Sequence, residues 1–218
     1  MNSNAAAAGG SSVERAKLRQ EQVLGKPPRV APLDKAEHGQ DIVDSTSRLR
    51  DAVAGAQLPP IPLEYCPEMV ATLLRYPELW ERLAALSAIV QCASAKVPAR
   101  ERQLAILLTV WLCGAPYQWG EHLERTRKVG VTDEEIERVK EGSAAPGWGA
   151  QDRALLQAVE ELHFDAFMTD ETWDALRVRF DENQLFELIV LVGQFSTVAC
   201  LLNSMRMRLE PNNKGFAG

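Results

Sequence analysis

The stretch Arg100–Val139, "RERQLAILLTVWLCGAPYQWGEHLERTRKVGVTDEEIERV", decides how this chain folds. It begins polar and turns apolar on nearly every side up to Leu112, the pattern of a buried central helix. Cys113 and Gly114 end that helix. Pro116 starts another from the first-turn position, where proline's missing N–H costs nothing. Gly130 closes it as a C-terminal cap. Thr132, with Glu135 three residues on, forms a capping box that opens a third helix.

The same reading extends in both directions. "PELWERLAALSAIVQC" opens with Pro77 and carries Leu79, Leu83 and Leu86 at helical spacing. Downstream, "QDRALLQAVEELH", "DETWDALRVRF" and the long apolar "ENQLFELIVLVGQFSTVACLLNSMRMRL" are further helices. Alternation of the strand type is missing, so the fold class is all-α. Residues 1–61 read as an N-terminal extension, partly disordered, in which "VERAKLRQEQVL" and "IVDSTSRLRDAV" are short helices. "LPPIPLEYCP" is an extended crossing into a helical domain spanning 62–210, and 211–218 reads as a flexible tail.

Composition excludes several classes of function. Net charge is −6 with basic residues scattered, which argues against nucleic acid or an acidic membrane as partner. The partner expected is a small molecule or another copy of the chain. "MNSNAAAAGGSS" lacks a basic n-region and reads as a disordered leader, not a signal peptide. "LIVLVGQFSTVACLL" is interrupted by Gly193, Gln194 and two hydroxyl residues, so it reads as a buried helix rather than a membrane span. Cys66, Cys92, Cys113 and Cys200 are far apart and read as buried free thiols. A cytoplasmic location follows as the expectation.

The junction "CGAPYQWGEH" concentrates the polar chemistry. Gln103 is set among apolar residues and needs a hydrogen-bond partner. Gln118 and His122, four residues apart on one helix face, can supply it. The bland outcome is that the three side chains merely join two helices. The sharper one is a small polar pocket in an apolar core, the usual form of a ligand site.

This stretch resembles the core motif of the carboxymuconolactone decarboxylase family, which includes the alkyl hydroperoxidase D-like proteins. Family members read "RELAIL", a short turn, "YEW", two residues and a histidine. The resemblance covers about Pro67 to Leu209 and implies that family's helical fold. It also implies assembly into trimers or hexamers. In the peroxidase branch two cysteines precede the histidine. Ala115 and Gln118 stand at those positions here, and Cys113 has no partner thiol nearby in sequence, so dithiol peroxidase chemistry is not expected. The non-redox branch carries glutamates where this chain has Gln103 and Gln118. An amide holds oxygens but cannot move a proton.

The expectation is therefore a lyase or isomerase acting on a small aromatic-derived acid or lactone. His122 is its acid/base, assisted by Gln118 and Gln103, with no cofactor and no metal. A helix N-terminus should lower the pKa of His122. Tyr117, Trp119, Glu187 and Gln194 are the substrate-binding candidates. Glu187, inside an apolar run, must have a partner or face a site. His163 reads as a helix-end histidine. Two alternatives stay open: a non-catalytic ligand-binding or scaffold protein, and a metal-dependent oxidoreductase using His122 and His163.

Overall fold

A helix apolar on all sides must be covered on all sides, and that requirement organises the molecule. The computed structural model describes residues 11–34, 39–40, 43–44, 47–48, 51, 66–92 and 94–218. Its helices are α1 (Ser12–Val23), α2 (Glu68–Leu73), α3 (Pro77–Gln91), α4 (Ala99–Leu112), α5 (Pro116–Lys128), α6 (Asp133–Val139), α7 (Ala150–Phe164), α8 (Asp170–Arg177) and α9 (Glu182–Met205). A 3-10 turn, Gly215–Ala217, follows. There is no strand among the described residues, and the fold is all-α.

Helix α4 is the centre. Glu101 and every residue from Gln103 to Trp111 are buried in it, and α1, α5, α6, α7 and α9 pack around it. Its polar first turn is neutralised from outside: Arg100 bridges Glu135 and Asp152, and buried Glu101 pairs with Arg179. The expected capping box of Thr132 and Glu135 opens α6, and Asp181 with Gln184 forms another at α9.

Several boundaries differ from the sequence reading. Helix α9 stops at Met205 instead of running to Leu209, because Arg206 adopts the left-handed region (φ 55, ψ 54) as its cap. Helix α8 ends at Arg177. Residues 211–218, expected as a flexible tail, fold back on α5: Asn213 Nδ2 donates to the Tyr117 carbonyl (2.8 Å) and to Glu121 (3.0 Å). Phe216 stacks edge-on against Trp111 at 5.0 Å. The leader 1–10, most of "IVDSTSRLRDAV" and nearly all of "LPPIPLEYCP" lie outside the described residues.

Helix α1 docks on the turn between α4 and α5. Ala16 joins the main core, and Gly114 sits at φ +60 where an added Cβ would lie 3.0 Å from Arg19 Cβ. Positive φ and close approach both call for glycine there. Helix α9 is long and apolar enough to cross a membrane by length and composition. Its Leu185, Leu188, Leu191, Val192, Phe195 and Ala199 nevertheless belong to the main core.

Candidate functional site

Gln103 from α4 and His122 from α5 meet in the interior. His122 Nδ1 lies 3.0 Å from Gln103 Oε1, and an amide oxygen only accepts, so the network assigns the proton to Nδ1. Thr126, one turn after His122, completes the cluster: its hydroxyl donates to the His122 carbonyl at 2.8 Å and lies 3.3 Å from Gln103 Oε1. Thr126 was missed in the sequence, although its i+4 spacing from His122 was available as a signal.

Among the described residues Nε2 of His122 has no hydrogen-bond partner, so its lone pair is left for something else. The imidazole is only 4% exposed, and the Phe195 ring meets it edge-on at 5.1 Å. Burial pushes the pKa of His122 well below the ordinary histidine value, with the Arg125 cation adding to the shift. The direction matches the sequence expectation, but the cause does not. His122 sits in the middle of α5, away from its N-terminus.

Gln118 shares this neighbourhood through α9. Its Nε2 donates weakly to the Phe195 carbonyl (3.5 Å), while its Oε1 is buried without a partner. Leaving a buried amide oxygen unpaired costs roughly 1–3 kcal/mol. The structure therefore brings Gln103, Gln118 and His122 together around Phe195.

The four substrate-binding candidates are engaged elsewhere. Tyr117 donates to Glu210 at 2.7 Å in a small cluster with Leu202 and Met207, and burial raises its pKa far above the usual range. Trp119 is fully buried between Trp111 and Phe216. Glu187 has the partner its setting required, accepting from the backbone N–H groups of Lys96 and Val97, both at 2.8 Å. Gln194 donates to Ser87 Oγ at 2.8 Å and ties α9 to α3.

A second polar cluster lies at the end of α4. Cys113 Sγ is 3.8 Å from His163 Nδ1 and 3.9 Å from Ser196 Oγ. Burial pushes this thiol up to about 11, and burial with Arg15 lowers His163. Asn203, on the same stripe of α9 as Ser196 and Cys200, donates to the Cys113 carbonyl at 3.1 Å. Cys200, distant in sequence, thus comes close enough to raise Cys113 further. The thiols are not the buried set the sequence suggested: Cys66, Cys92 and Cys113 are half-buried, and Cys200 is exposed. His122 and His163 have different partners, and among the described residues no three metal-ligating side chains converge.

The profile of the carboxymuconolactone decarboxylase family matches residues 76–161, which hold the Gln103–Gln118–His122 cluster. No curated protein matches this chain. Among solved structures it is similar to an alkylhydroperoxidase AhpD core, an uncharacterized peroxidase-related protein from Ralstonia eutropha JMP134. The TM-score is 0.69 at 16% identity, over 86% of this chain and 95% of that one. A peroxidase-related protein from Silicibacter sp. TM1040 gives 0.67 at 14% identity, over 88% and 98%. The debrominase Bmp8, as a cysteine-to-alanine variant in complex with 2,3,4-tribromopyrrole, gives 0.64 at 15% identity, over 86% and 95%. Residues 76–161 thus match the carboxymuconolactone decarboxylase family, and the helices are arranged in the fold of these alkyl hydroperoxidase D-like neighbours.

Proposed function

We propose that this protein is a carboxymuconolactone decarboxylase-like enzyme that acts on a small aromatic-derived acid or lactone by proton transfer at His122. The reading includes a role in aromatic compound catabolism in the cytoplasm. The observation that carries it is that His122 Nε2, without a hydrogen-bond partner among the described residues, and the unpartnered buried amide oxygen of Gln118 both lie beside Phe195. With its pKa lowered, His122 is neutral at neutral pH and acts first as a base. Nε2 takes a proton from the substrate, the electron pair moves onto an enolate oxygen held by an amide N–H, and the imidazolium returns the proton to carbon. Amides in place of glutamates leave the surroundings of His122 free of a fixed negative charge that would repel an anionic substrate. The debrominase with a bound bromopyrrole supports an aromatic ring as the kind of ligand this fold takes.

Dithiol peroxidase activity is not part of this reading. Ala115 is a buried helix cap without a thiol, Gln118 occupies the second position, and the high pKa of Cys113 keeps it from being a thiolate at neutral pH. The reading also includes a homo-oligomer, a trimer or hexamer. Phe186 and Ile189 of α9 and Leu86 and Ile89 of α3 present exposed apolar surface that a second copy would cover. Light scattering of the parent and of Phe186→Glu checks that point.

The test of the reaction is a screen of aromatic-pathway acids and lactones with the parent and His122→Ala. Losing the acid/base should cost about 100-fold or more in turnover. Equal rates would remove His122 from the chemistry. One observation favours a non-catalytic ligand-binding protein instead: His122 lies closed under Phe195 at 4% exposure. Ligand binding without turnover across the screen would select that reading.

A further inference from the structure

A cleft of about 330 Å³ lies between α1, the loop that follows it and the end of α9. It draws on none of the residues assigned to the reaction. Arg19 comes from α1, Lys26 and Arg29 from the loop, and Arg206 from the cap of α9, joined by the amides of Gln22 and Asn203. No carboxylate lines it. Among the described residues, none of the four cations is ion-paired. In a chain with 30 acidic and 24 basic residues, four converging cations without an acid run against the average surface.

Part of this charge has an ordinary explanation. Helices α1 and α9 both end at the cleft, and each C-terminus carries roughly half a negative charge that attracts cations. Two such ends offset about one positive charge. About three remain uncompensated, which is more than capping requires.

The positions are also held. Arg29 N donates to the Met205 carbonyl at 3.0 Å and its Nη1 to the Ser204 carbonyl at 3.2 Å, so the loop is stitched to the end of α9. Arg206 keeps a left-handed backbone, which costs a non-glycine residue on the order of 1 kcal/mol. Three of the four cations are arginines, whose planar forks match phosphate oxygens in pairs. The cavity is at the small end of ligand pockets.

We propose that this cleft binds a small polyanion carrying at least two phosphoryl charges, either a free phosphorylated molecule or a phosphorylated lipid headgroup. The four cations supply the charge, and Gln22 and Asn203 supply directional donors. Asn203 already donates to the Cys113 carbonyl, so an occupant that reaches it touches the turn from which α5 begins.

Calorimetric titration of the full chain with inorganic pyrophosphate tests this directly. Binding should appear at low ionic strength and weaken as salt rises. Lys26→Gln, an exposed loop change, should weaken it about tenfold, the value of one charged hydrogen bond. Adding Arg206→Asn, which keeps a residue tolerant of the left-handed backbone, should weaken it by about a further tenfold. Lys128→Gln, on the far end of α5, should leave binding unchanged and serves as the net-charge control. Sedimentation with phosphatidylcholine vesicles, with and without a phosphoinositide, separates the two sources: retention only on the phosphoinositide vesicles assigns a lipid headgroup, and no retention assigns a free anion. No heat and no thermal shift with millimolar pyrophosphate would overturn the proposal, as would equal binding by Lys26→Gln and the parent.

Discussion

The 3.0 Å contact between His122 Nδ1 and Gln103 Oε1 decides which face of the imidazole is available. Because the amide oxygen can only accept, Nδ1 is the donor and Nε2 keeps the lone pair. Gln103 thereby positions the histidine without itself moving a proton. Gln103→Glu would replace the neutral acceptor with an anion and should raise the pKa of His122. Gln103→Leu should remove the contact, cost about 1–3 kcal/mol of stability, and leave the pKa low. NMR titration of the His122 ring in both variants separates the outcomes. If Gln103→Glu leaves the titration unmoved, the contact does not exist in solution.

The buried imidazole also sets an acid limit on stability. His122 titrates lower in the folded protein than its unfolded value of about 6.5, so folding favours the neutral form. That contribution is fully present above the unfolded value and is lost as pH falls below it. Stability should therefore fall as the pH drops below about 6.5. Denaturant midpoints for the parent and His122→Gln across this range isolate it, since other groups titrate in both. Parallel slopes would mean the ring is solvated.

Cys113 and Cys200 should differ sharply as nucleophiles. The thiol of Cys113 is pushed up to about 11 by burial, whereas Cys200 is exposed. At pH 8 iodoacetamide should modify Cys200 well before Cys113. Peptide mass mapping of a time course reads the order directly. Prior alkylation of Cys113 would show that the thiol is ionised and would reopen the peroxidase question.

The folded-back C-terminus should contribute to stability. Phe216 packs on both Trp111 and Trp119, and Asn213 donates a further hydrogen bond to the carbonyl of Tyr117. Phe216→Ala should destabilise by about 1–3 kcal/mol, less than a fully buried phenylalanine because the ring is half-exposed. It should also red-shift tryptophan emission as Trp111 gains solvent. Asn213→Ala should cost about 0.5–1.5 kcal/mol by removing its side-chain hydrogen bonds to the Tyr117 carbonyl and Glu121. An unchanged emission maximum in Phe216→Ala would mean the tail does not rest there.

The helices were legible in the sequence because their signals are local. Pro77 and Pro116 mark first turns, Thr132 with Glu135 marks a cap, and the run from Leu104 to Trp111 can only be a covered centre. The triad of Gln103, Gln118 and His122 was readable from spacing and from one apolar environment that demanded partners. Tertiary structure alone decided which remaining polar residues were spoken for. Glu187 meets backbone N–H groups some ninety positions away, Tyr117 meets Glu210, and Gln194 meets Ser87. It also decided that Cys113 faces His163 and that four scattered cations share one cleft. Local sequence reports which groups need a partner. Which partner each one finds depends on how the helices pack against α4, and that packing is set by the whole core.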